Sequence, residues 1–326
     1  MEIRLFDLKR DEGKIDSFLD SASLAHKNER RSKEWFLWKF FGSPYGESIL
    51  MCAFDNDCVV GCMGYGRARV SYNGKDYNAG LSYETFVRPG YQGGGLMKKM
   101  INAFFDHIET EKVFDVLWNF PNSNSIRGFL RTGWRPLEMP AYHLFVCRPL
   151  RFIRYGLDLR KGFRPEDSNW EELKDRAPYF ERENISPKGL LVPVWSAEYM
   201  KWRFFTFPIA RYATYDGKDF WGIARIGCRG RLREAQVLTI VPKADVPMIR
   251  NIRKFTKFLK KEENVDCVSI CSTRAHSLGM LPLGFFKVPS TGNCCCYFPN
   301  SSSLRQTLSG ETEPKFAFSG IDYHTY

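Results

Sequence analysis

The sequence predicts a mixed α/β fold made of two similar domains. Its length of 326 residues suggests two domains, at about 100–200 residues for each. Helical patterns open each half and are followed by strands and then by alternating helices and strands, which is typical of a mixed α/β sheet. In the first half a glycine-rich loop leads from a strand directly into an amphipathic helix.

A residue pattern that occurs twice indicates a duplication. Residues 34–41 read EWFLWKFF and residues 198–205 read EYMKWRFF, and a proline follows each run at the same spacing. Both runs have helical periodicity and stop before the proline, as helices commonly do. A second pattern, a leucine followed by Gly-Trp or Gly-Phe, ends at Trp134 in the first half and at Phe285 in the second.

The patterns place the elements of the two halves in a similar order. We expect domains over residues 1–148 and 149–326, joined at the basic stretch 148–155, which we interpret as a solvated connector. In the first half we expect helices over 11–23, 31–41, 96–111 and 123–131, and strands over 49–54, 58–69, 80–87, 113–119 and 142–147. In the second half we expect helices over 196–205, 244–261 and 274–281, and strands over 210–216, 219–227, 232–241, 265–271 and 293–298.

Composition and charge exclude several classes of protein. The content of 44% hydrophobic and 15% aromatic residues excludes a disordered or collagen-like chain. No segment approaches the roughly 20 apolar residues that cross a bilayer, and residues 1–7 carry charges where a signal peptide is apolar. We therefore expect a cytoplasmic protein without membrane insertion. The net charge of +11 suits an anionic partner: nucleic acid, a membrane surface or a phosphorylated small molecule.

The ten cysteines show no spacing that favours a metal site. None of them forms a CxxC pair. Neighbours in the run Cys294-Cys295-Cys296 would point to opposite faces of a strand, which makes a poor metal clamp. We therefore expect buried, reduced thiols and no bound metal.

The glycine loop, residues 88–95, is the most informative segment. A strand pattern ends at Val87, and the glycines at 93–95 lead directly into a helix. Three glycines in a row cost conformational entropy and so need a reason. Their N–H groups can converge on an anion at the helix N-terminus, where the helix dipole favours negative charge. The spacing differs from that of a P-loop and from the dinucleotide-binding GxGxxG motif.

This loop resembles the pyrophosphate-binding motif of the GNAT superfamily of acyl-CoA-dependent N-acyltransferases. The family motif reads V-x-P-x-Y-[QR]-x-x-G-x-[GA], and it is matched by Val87, Pro89, Tyr91, Gln92 and Gly95. The segment from Asn122 to Trp134 is similar to the family's following motif, an Asn-led helix that ends in Gly-Phe. Because the second half shares this layout, the whole chain resembles tandem-GNAT transferases.

The resemblance implies a site for acyl-CoA, either acetyl-CoA or another short-chain acyl-CoA, as co-substrate. The backbone of Phe86 and Val87 would pair with the pantetheine arm, and Asn122 and Ser125 lie where the family contacts pantetheine or substrate. The pyrophosphate would be held by the backbone N–H groups of Gln92, Gly93, Gly94, Gly95 and Leu96.

Two groups are expected to act on the reacting atoms. The Val87 N–H would stabilise the negative charge that develops on the thioester oxygen. Glu84 lies just before the loop, where many family members carry an acidic residue, and a carboxylate in a partly closed cleft can accept the amine proton. Burial is expected to raise its pKa. A structural Glu84 that pairs with a basic residue is the other interpretation, and the sequence leaves both open.

Two positions depart from the family pattern. Met97 stands at the last position of the loop motif, and Phe129 stands where the family often has a tyrosine. A phenyl ring cannot protonate the leaving thiolate, so that general acid is missing or lies elsewhere. Tyr142 and His143 are candidate substitutes, and Tyr142 is also a candidate for substrate binding.

The second half lacks the pyrophosphate loop. It keeps Val241 and Pro242 but has no glycine at this place, so we expect it to bind no CoA. We expect it instead to form one side of the acceptor pocket. Asp322 and His324 follow Gly320 and resemble the closing strand of some tandem members. Both are candidate substrate-binding residues, with a disordered tail as the alternative.

These observations favour an N-acyltransferase that moves an acyl group from acyl-CoA to an amine. By analogy with tandem members of the family, the expected acceptor is an amino sugar carried on a nucleotide diphosphate (dTDP or UDP), as in polysaccharide biosynthesis. The expected mechanism is direct attack in a ternary complex. Aminoacyl transfer from tRNA to a peptidoglycan precursor is a second hypothesis, although the intact glycine loop argues against it. A non-catalytic acyl-CoA-binding module is a third, supported by Phe129 and Met97.

Overall fold

The chain forms two compact units, each with a mixed sheet of its own. Unit 1 comprises Met1–Leu137 and Asn293–Pro314, and unit 2 comprises Glu138–Gly292 and Lys315–Tyr326. The structure is a computed structural model, and it describes residues 1–123, 125–156, 162–169, 188–207, 210–273, 280–288, 292–308 and 315–323.

The first part of the chain, up to residue 156, contains these elements: β1 (Glu2–Leu5), α1 (Leu8–Asp11), a 3-10 turn (Glu12–Lys14), α2 (Ile15–His26), α3 (Lys33–Phe41), β2 (Ile49–Asp55), β3 (Cys58–Tyr72), β4 (Lys75–Val87), α4 (Leu96–Glu111), β5 (Val116–Asn119), α5 (Ile126–Arg131), β6 (Arg135–Leu137), β7 (Ala141–Val146) and α6 (Pro149–Tyr155). The helix α4 has the predicted bounds. The basic stretch expected to be a connector is the helix α6.

The second part contains β8 (Phe163–Pro165), β9 (Leu191–Val194), α7 (Ala197–Lys201), a π-helical turn (Trp202–Thr206), β10 (Arg211–Asp216), β11 (Phe220–Arg229), β12 (Leu232–Pro242), α8 (Met248–Glu262), β13 (Cys267–Ser272), a 3-10 turn (Leu281–Leu283), β14 (Phe285–Val288), β15 (Cys294–Tyr297), α9 (Ser303–Thr307) and α10 (Gly320–Tyr323). Most of the helix predicted over 274–281 lies outside the described residues.

The sheet of unit 1 has the strand order β1-β2-β3-β4-β5-β15-β6. The pair β4–β5 is parallel and the other pairs are antiparallel. The helices α2 and α3 cover one face with aromatic rings packed edge-to-face, where Phe18 contacts both Phe36 and Phe86. The helix α4 covers the other face because its apolar residues recur every fourth position; Leu96, Met100, Phe104 and Ile108 are all buried.

The sheet of unit 2 has the order β10-β11-β12-β13-β7-β14, with β8 paired to β11. The pair β12–β13 is parallel, as in the pair β4–β5 of unit 1. The buried side of α8 packs on this sheet through Ile252, Phe255 and Leu259. The mixed α/β class and the repeated layout that the sequence predicts are therefore confirmed.

The two units exchange their predicted closing strands. The sequence places residues 142–147 in the first domain, but β7 pairs with β13 and β14 in unit 2. It places residues 293–298 in the second domain, but β15 pairs with β5 and β6 in unit 1. The compact units therefore differ from the expected domains 1–148 and 149–326. Both strands are short apolar runs without a sheet-specific pattern, so periodicity cannot assign them to a partner.

Two smaller expectations can be compared with the structure. Gly133 and Gly284, which begin the matched Gly-Trp and Gly-Phe pairs, both have left-handed backbones, with φ of 89° and 83°. The same turn therefore precedes β6 and β14. All ten cysteines are free thiols, and all except Cys58 and Cys228 are buried.

A β-bulge in β4 changes the face on which its side chains lie. Gly64 pairs with Glu84 and Tyr65 pairs with Ser82, so that Tyr83 is an extra residue without a partner on β3. Tyr65 packs against Phe104 of α4, which places Ser82 on the α4 side of the sheet. Without the bulge Glu84 would share that side with Ser82, since side chains alternate along a strand. The inserted residue turns Glu84 toward α2 and α3 instead.

The bulge also lies where β4 and β5 part. Their parallel pairing covers residues 79–81 of β4, from Ala79↔Val116 to Leu81↔Trp118. Beyond Leu81, β4 continues to Val87 in pairing with β3 alone, as far as the described residues show. The edge of β4 from 82 to 87 is therefore open on the β5 side.

The ring of Tyr83 occupies the space above Gly66. A Cβ added to Gly66 would lie 2.0 Å from Cε2 of Tyr83. We expect Gly66→Ala to lower the free energy of unfolding by about 1–3 kcal/mol, as overpacking does. Urea denaturation checks this, with Gly13→Ala as the matched control because no atom lies within 4 Å of its added Cβ. An equal effect of Gly66→Ala in a Tyr83→Ala background would contradict the proposed contact.

Candidate functional site

The glycine loop joins β4 to α4 in a conformation that only glycine adopts easily. Gly95 is the N-cap residue of α4 and has a left-handed backbone with φ of 74°. Gln92 fixes the loop to the end of the strand, because its Nε2 donates to the Val87 carbonyl at 2.9 Å. Tyr91 fixes it to β2, because its hydroxyl donates to Asp55 Oδ2 at 2.8 Å. The two residues that precede the three glycines are therefore fixed to β4 and β2.

The backbone N–H groups of the loop are left for an external acceptor. Residues 92–95 are exposed, and among the described residues their N–H groups have no protein acceptor. Gly94 is the informative glycine, since its φ is not positive and no atom lies within 4 Å of an added Cβ. Neither backbone geometry nor packing requires glycine there. The open space and the unengaged N–H groups at the start of α4 are suited to an anion.

The backbone of Val87 points toward the open edge of β4. The Arg88 N–H donates to the Val60 carbonyl at 2.8 Å, which makes this pair a hydrogen-bonded one. Hydrogen-bonded pairs alternate in an antiparallel ladder, so Phe86 bonds to β3, whereas Thr85 and Val87 face outward. The sequence prediction named Phe86 and Val87 as a pair; in the structure Thr85, not Phe86, shares the outward direction of Val87.

Glu84 lies between two basic side chains on the α2–α3 side of the sheet. Its Oε1 is 2.7 Å from His26 Nε2, and its Oε2 is 3.3 Å from Lys39 Nζ. The side chains of Glu84 and Lys39 are 14% and 4% exposed, whereas that of His26 is 36% exposed. Lys39 also lies over the rings of neighbouring aromatic residues, with its Nζ 4.6 Å from the Trp35 centroid. Of these three side chains, that of His26 is the most exposed to solvent.

The charges around Glu84 decide its ionisation. Burial raises the pKa of Glu84, but the charge of Lys39 and the hydrogen bond from His26 outweigh burial and hold that pKa below its ordinary value. The expected rise of the pKa is therefore wrong in direction. A carboxylate in this environment stays ionised and is a weak proton acceptor. His26, at the end of α2, is the residue that the sequence analysis missed.

The other first-half residues singled out by the sequence lie close to α5. Asn122 Oδ1 accepts from both the backbone N–H and the hydroxyl of Ser125, at 3.0 and 2.7 Å, and so organises the turn before α5. Phe129 is buried and packs edge-to-face on Trp134, with ring centroids 5.0 Å apart. Phe129 thus belongs to the core. The ligand-binding roles of Asn122 and Ser125 stay predictions.

The remaining candidates belong to unit 2, and those that the structure describes are buried or partly buried. Tyr142 donates to Glu234 and accepts from Arg229, and burial together with the charge of Glu234 raises its pKa. His143 is also buried. Asp322 accepts from Trp195 Nε1 at 2.9 Å and from the Ser319 N–H at 2.7 Å, and burial raises its pKa to about 6. His324 lies outside the described residues. Roles of these residues in substrate binding stay predictions.

The corresponding loop of the second half is closed by internal hydrogen bonds. It connects β12 to α8 without a glycine, and Pro247 is the N-cap residue of α8. The N–H groups of Lys243 and Ala244 both donate to the Asp219 carbonyl, at 2.9 and 3.2 Å. These donors are therefore engaged, in contrast to those of residues 92–95. The second unit lacks the pyrophosphate loop, as predicted.

The ion pair of Glu84 and Lys39 leads to a test by a double-mutant cycle. Removal of one partner leaves a buried charge, so Glu84→Gln and Lys39→Met should each cost about 3–5 kcal/mol of stability at neutral pH. The double variant should cost less than the two single costs added together. Since the folded-state pKa of Glu84 is lowered, the difference between wild type and Glu84→Gln should shrink as the pH falls through that pKa. Additive costs in urea denaturation would contradict the pairing.

The described residues lack two further features. Among them, no helix is both long and apolar enough to span a bilayer. Within the same ranges, no three His, Cys, Asp or Glu side chains lie close enough together to hold a metal ion.

Part of the chain matches a known protein family. Residues 9–137 match the family model of the acetyltransferase (GNAT) domain. No curated protein matches the sequence of this chain.

Solved structures share the fold over nearly the whole chain. Eis1 from Mycobacterium abscessus matches with a TM-score of 0.58 at 12% identity, and covers 94% of this chain and 75% of its own. A probable N-acyltransferase from Enterococcus faecalis matches with 0.58 at 10% identity, with coverages of 91% and 72%. A GCN5-related N-acetyltransferase from Kribbella flavida matches with 0.55 at 13% identity, with coverages of 91% and 71%. The chain therefore has a tandem GNAT fold, and its glycine loop lies in the part, residues 9–137, that matches the acetyltransferase (GNAT) domain family.

Proposed function

We propose that this protein is an N-acyltransferase that moves an acyl group from acyl-CoA to the amine of a nucleotide-linked amino sugar. The observation that carries the proposal is the set of unpaired N–H groups at residues 92–95, next to the open edge of β4. Acetyl-CoA or another short-chain acyl-CoA is the expected donor, and a dTDP or UDP sugar is the expected carrier of the amine. Polysaccharide biosynthesis and a cytoplasmic location belong to the same proposal.

The loop supplies the donors and the charge that a pyrophosphate requires. The N–H groups of Gln92, Gly93, Gly94, Gly95 and Leu96 would hold it at the positive end of the α4 dipole. Lys98 and Lys99 are exposed in the first turn of α4, and Arg88 begins the loop. These cations would add to the attraction without fixing the geometry, since exposed lysines bind as mobile point charges.

The open edge of β4 supplies two further functions. The outward backbone groups of Thr85 and Val87 would pair with the pantetheine arm, as one strand pairs with the next. The Val87 N–H would also face the thioester oxygen and stabilise it as negative charge develops during attack. Loss of one such donor costs about 3–4 kcal/mol in other enzymes.

The segment after His26 supports an anionic acceptor. Arg30 is neutralised by Asp16 and Asp20, and Lys33 contacts Glu12 at 2.9 Å. Lys27 and Arg31 are exposed and have no carboxylate partner in the described part of the chain. These two cations would attract the phosphates of a nucleotide carrier toward Glu84 and His26.

A panel of substrates tests the proposed reaction. Acetyl-, propionyl- and butyryl-CoA would each be incubated with dTDP- and UDP-linked amino sugars, and free thiol and product mass would be measured. We expect thiol release only in the presence of an amino sugar. Binding of acyl-CoA without turnover on any amine would instead indicate a binding module, and tight tRNA binding without acyl-CoA binding would indicate an aminoacyl transferase.

The glycine loop can be tested by filling its open space. Gly94→Ala meets no protein atom, so we expect unchanged or slightly increased stability. The added methyl group would lie where the pyrophosphate approaches, so acetyl-CoA should bind at least about tenfold more weakly by calorimetry. Gly128→Ala is the matched control, since its Cβ is equally free and lies in α5. Equal affinities of the two variants for acetyl-CoA would contradict the proposal that the loop binds the pyrophosphate.

A further inference from the structure

We propose that His26 is the group that accepts the proton of the attacking amine, and that Glu84 is its positioning residue. This inference rests on the proposed acyl transfer. It replaces the direct role expected for Glu84 with a two-residue arrangement, in which the carboxylate orients an imidazole. The physical basis is the pair His26 Nε2–Glu84 Oε1, at 2.7 Å.

The pairing fixes which nitrogen of His26 is basic. An ionised carboxylate accepts hydrogen bonds but donates none. The Nε2 atom that contacts Glu84 must therefore carry a hydrogen and donate it. In the neutral imidazole the other nitrogen, Nδ1, then has the free lone pair. The residue thus has one nitrogen committed to Glu84 and one able to take a proton.

Lys39 keeps Glu84 in the ionised form. Its Nζ lies 3.3 Å from Oε2 and is almost fully buried, so the second carboxylate oxygen faces a fixed positive charge. Proton transfer to Glu84 would remove the negative charge next to this buried ammonium group, which is costly. Proton transfer to His26 instead creates an imidazolium beside a carboxylate, which is favourable.

The position of His26 suits this role. It is the last residue of α2, where the helix dipole favours a cation. Its ring lies edge-on to Phe86, with centroids 6.2 Å apart, and Phe86 directly precedes Val87 with its outward N–H. The base and the proposed oxyanion donor therefore belong to neighbouring parts of one site.

The proposed reaction is a direct transfer of the acyl group to the amine. The neutral amine attacks the thioester carbon, so that a C–N bond forms and the C–S bond breaks. One amine proton passes to Nδ1 of His26, and the departing CoA thiolate takes a proton from solvent. The imidazolium then returns its proton to solvent. The products are the amide and free CoA thiol, and no redox partner is needed.

Steady-state kinetics of His26→Ala test the inference. We expect kcat to fall by about 100-fold or more, because general base catalysis is typically worth 10²–10⁴. The Kd of acetyl-CoA should stay unchanged, and added imidazole should restore part of the rate. His107→Ala is the matched control, since His107 is a partly buried histidine on α4. Its kinetics should equal those of wild type.

The pH profile separates a proton acceptor from a structural residue. A proton acceptor is inactive once it is protonated, so wild-type kcat should fall toward acid pH, and His26→Ala should lack this acid limb. Among the described residues, Glu84 of β4 contacts His26, and Lys39 of α3 contacts the other oxygen of the same carboxylate. Glu84→Gln should shift this limb. An unchanged limb in His26→Ala, or a rate within about threefold of wild type, would overturn the inference.

Two further results keep the inference separate from the proposed function. If the wild-type protein acylates no amine in the panel, both the proposed function and the inference fail. If the wild-type protein is active and His26→Ala is equally active, only the inference fails. If His26→Ala does not fold, ¹⁵N NMR of the histidine side chains in the wild-type protein shows which nitrogen of His26 carries the hydrogen. We expect the Nε2-protonated tautomer of His26, and the Nδ1-protonated tautomer would overturn the assignment.

Discussion

The candidate site depends on one inserted residue in a central strand. Tyr83 has no partner on β3, and this bulge reverses the alternation of every side chain that follows it in β4. It directs Glu84 toward α2 and α3, and it coincides with the place where β5 stops following β4. In a regular strand the carboxylate would lie on the α4 side of the sheet. One local irregularity therefore sets the side of the sheet on which Glu84 lies, next to the open edge of β4.

The electrostatics of the site follow from how the charges are buried. Lys39 is surrounded by aromatic rings and has Glu84 as its charged partner. This pair is close to neutral as a unit, so it can be buried at tolerable cost. His26 then adds a group whose charge can change without disturbing the buried pair. The aromatic helix α3, which the sequence repeat first revealed, thus supports the chemistry by holding one cation in place.

Local patterns allowed much of the fold to be predicted, and long-range pairing explains what could not be. The spacing of Leu96, Met100, Phe104 and Ile108 defines α4, and the glycine loop before it is a local motif. The bulge at Tyr83 has no sequence signal, because β4 contains neither a turn residue nor a break in its apolar pattern there. His26 lies at the end of a helix far from Glu84 in the chain, so only the tertiary fold shows that they touch. The predicted direction of the Glu84 pKa shift is wrong for the same reason, because the sequence does not show that Lys39 and His26 lie next to this carboxylate.

The exchange of β7 and β15 has a consequence for how the protein is made. The sheet of unit 1 has β15 between β5 and β6, so it lacks an interior strand until residue 297 has left the ribosome. During synthesis of the second half, β5 presents an unpaired edge of the kind that invites wrong partners. Neither half of the sequence can complete a sheet from its own residues. The sheet of unit 1 is therefore completed only after most of the chain has been synthesised.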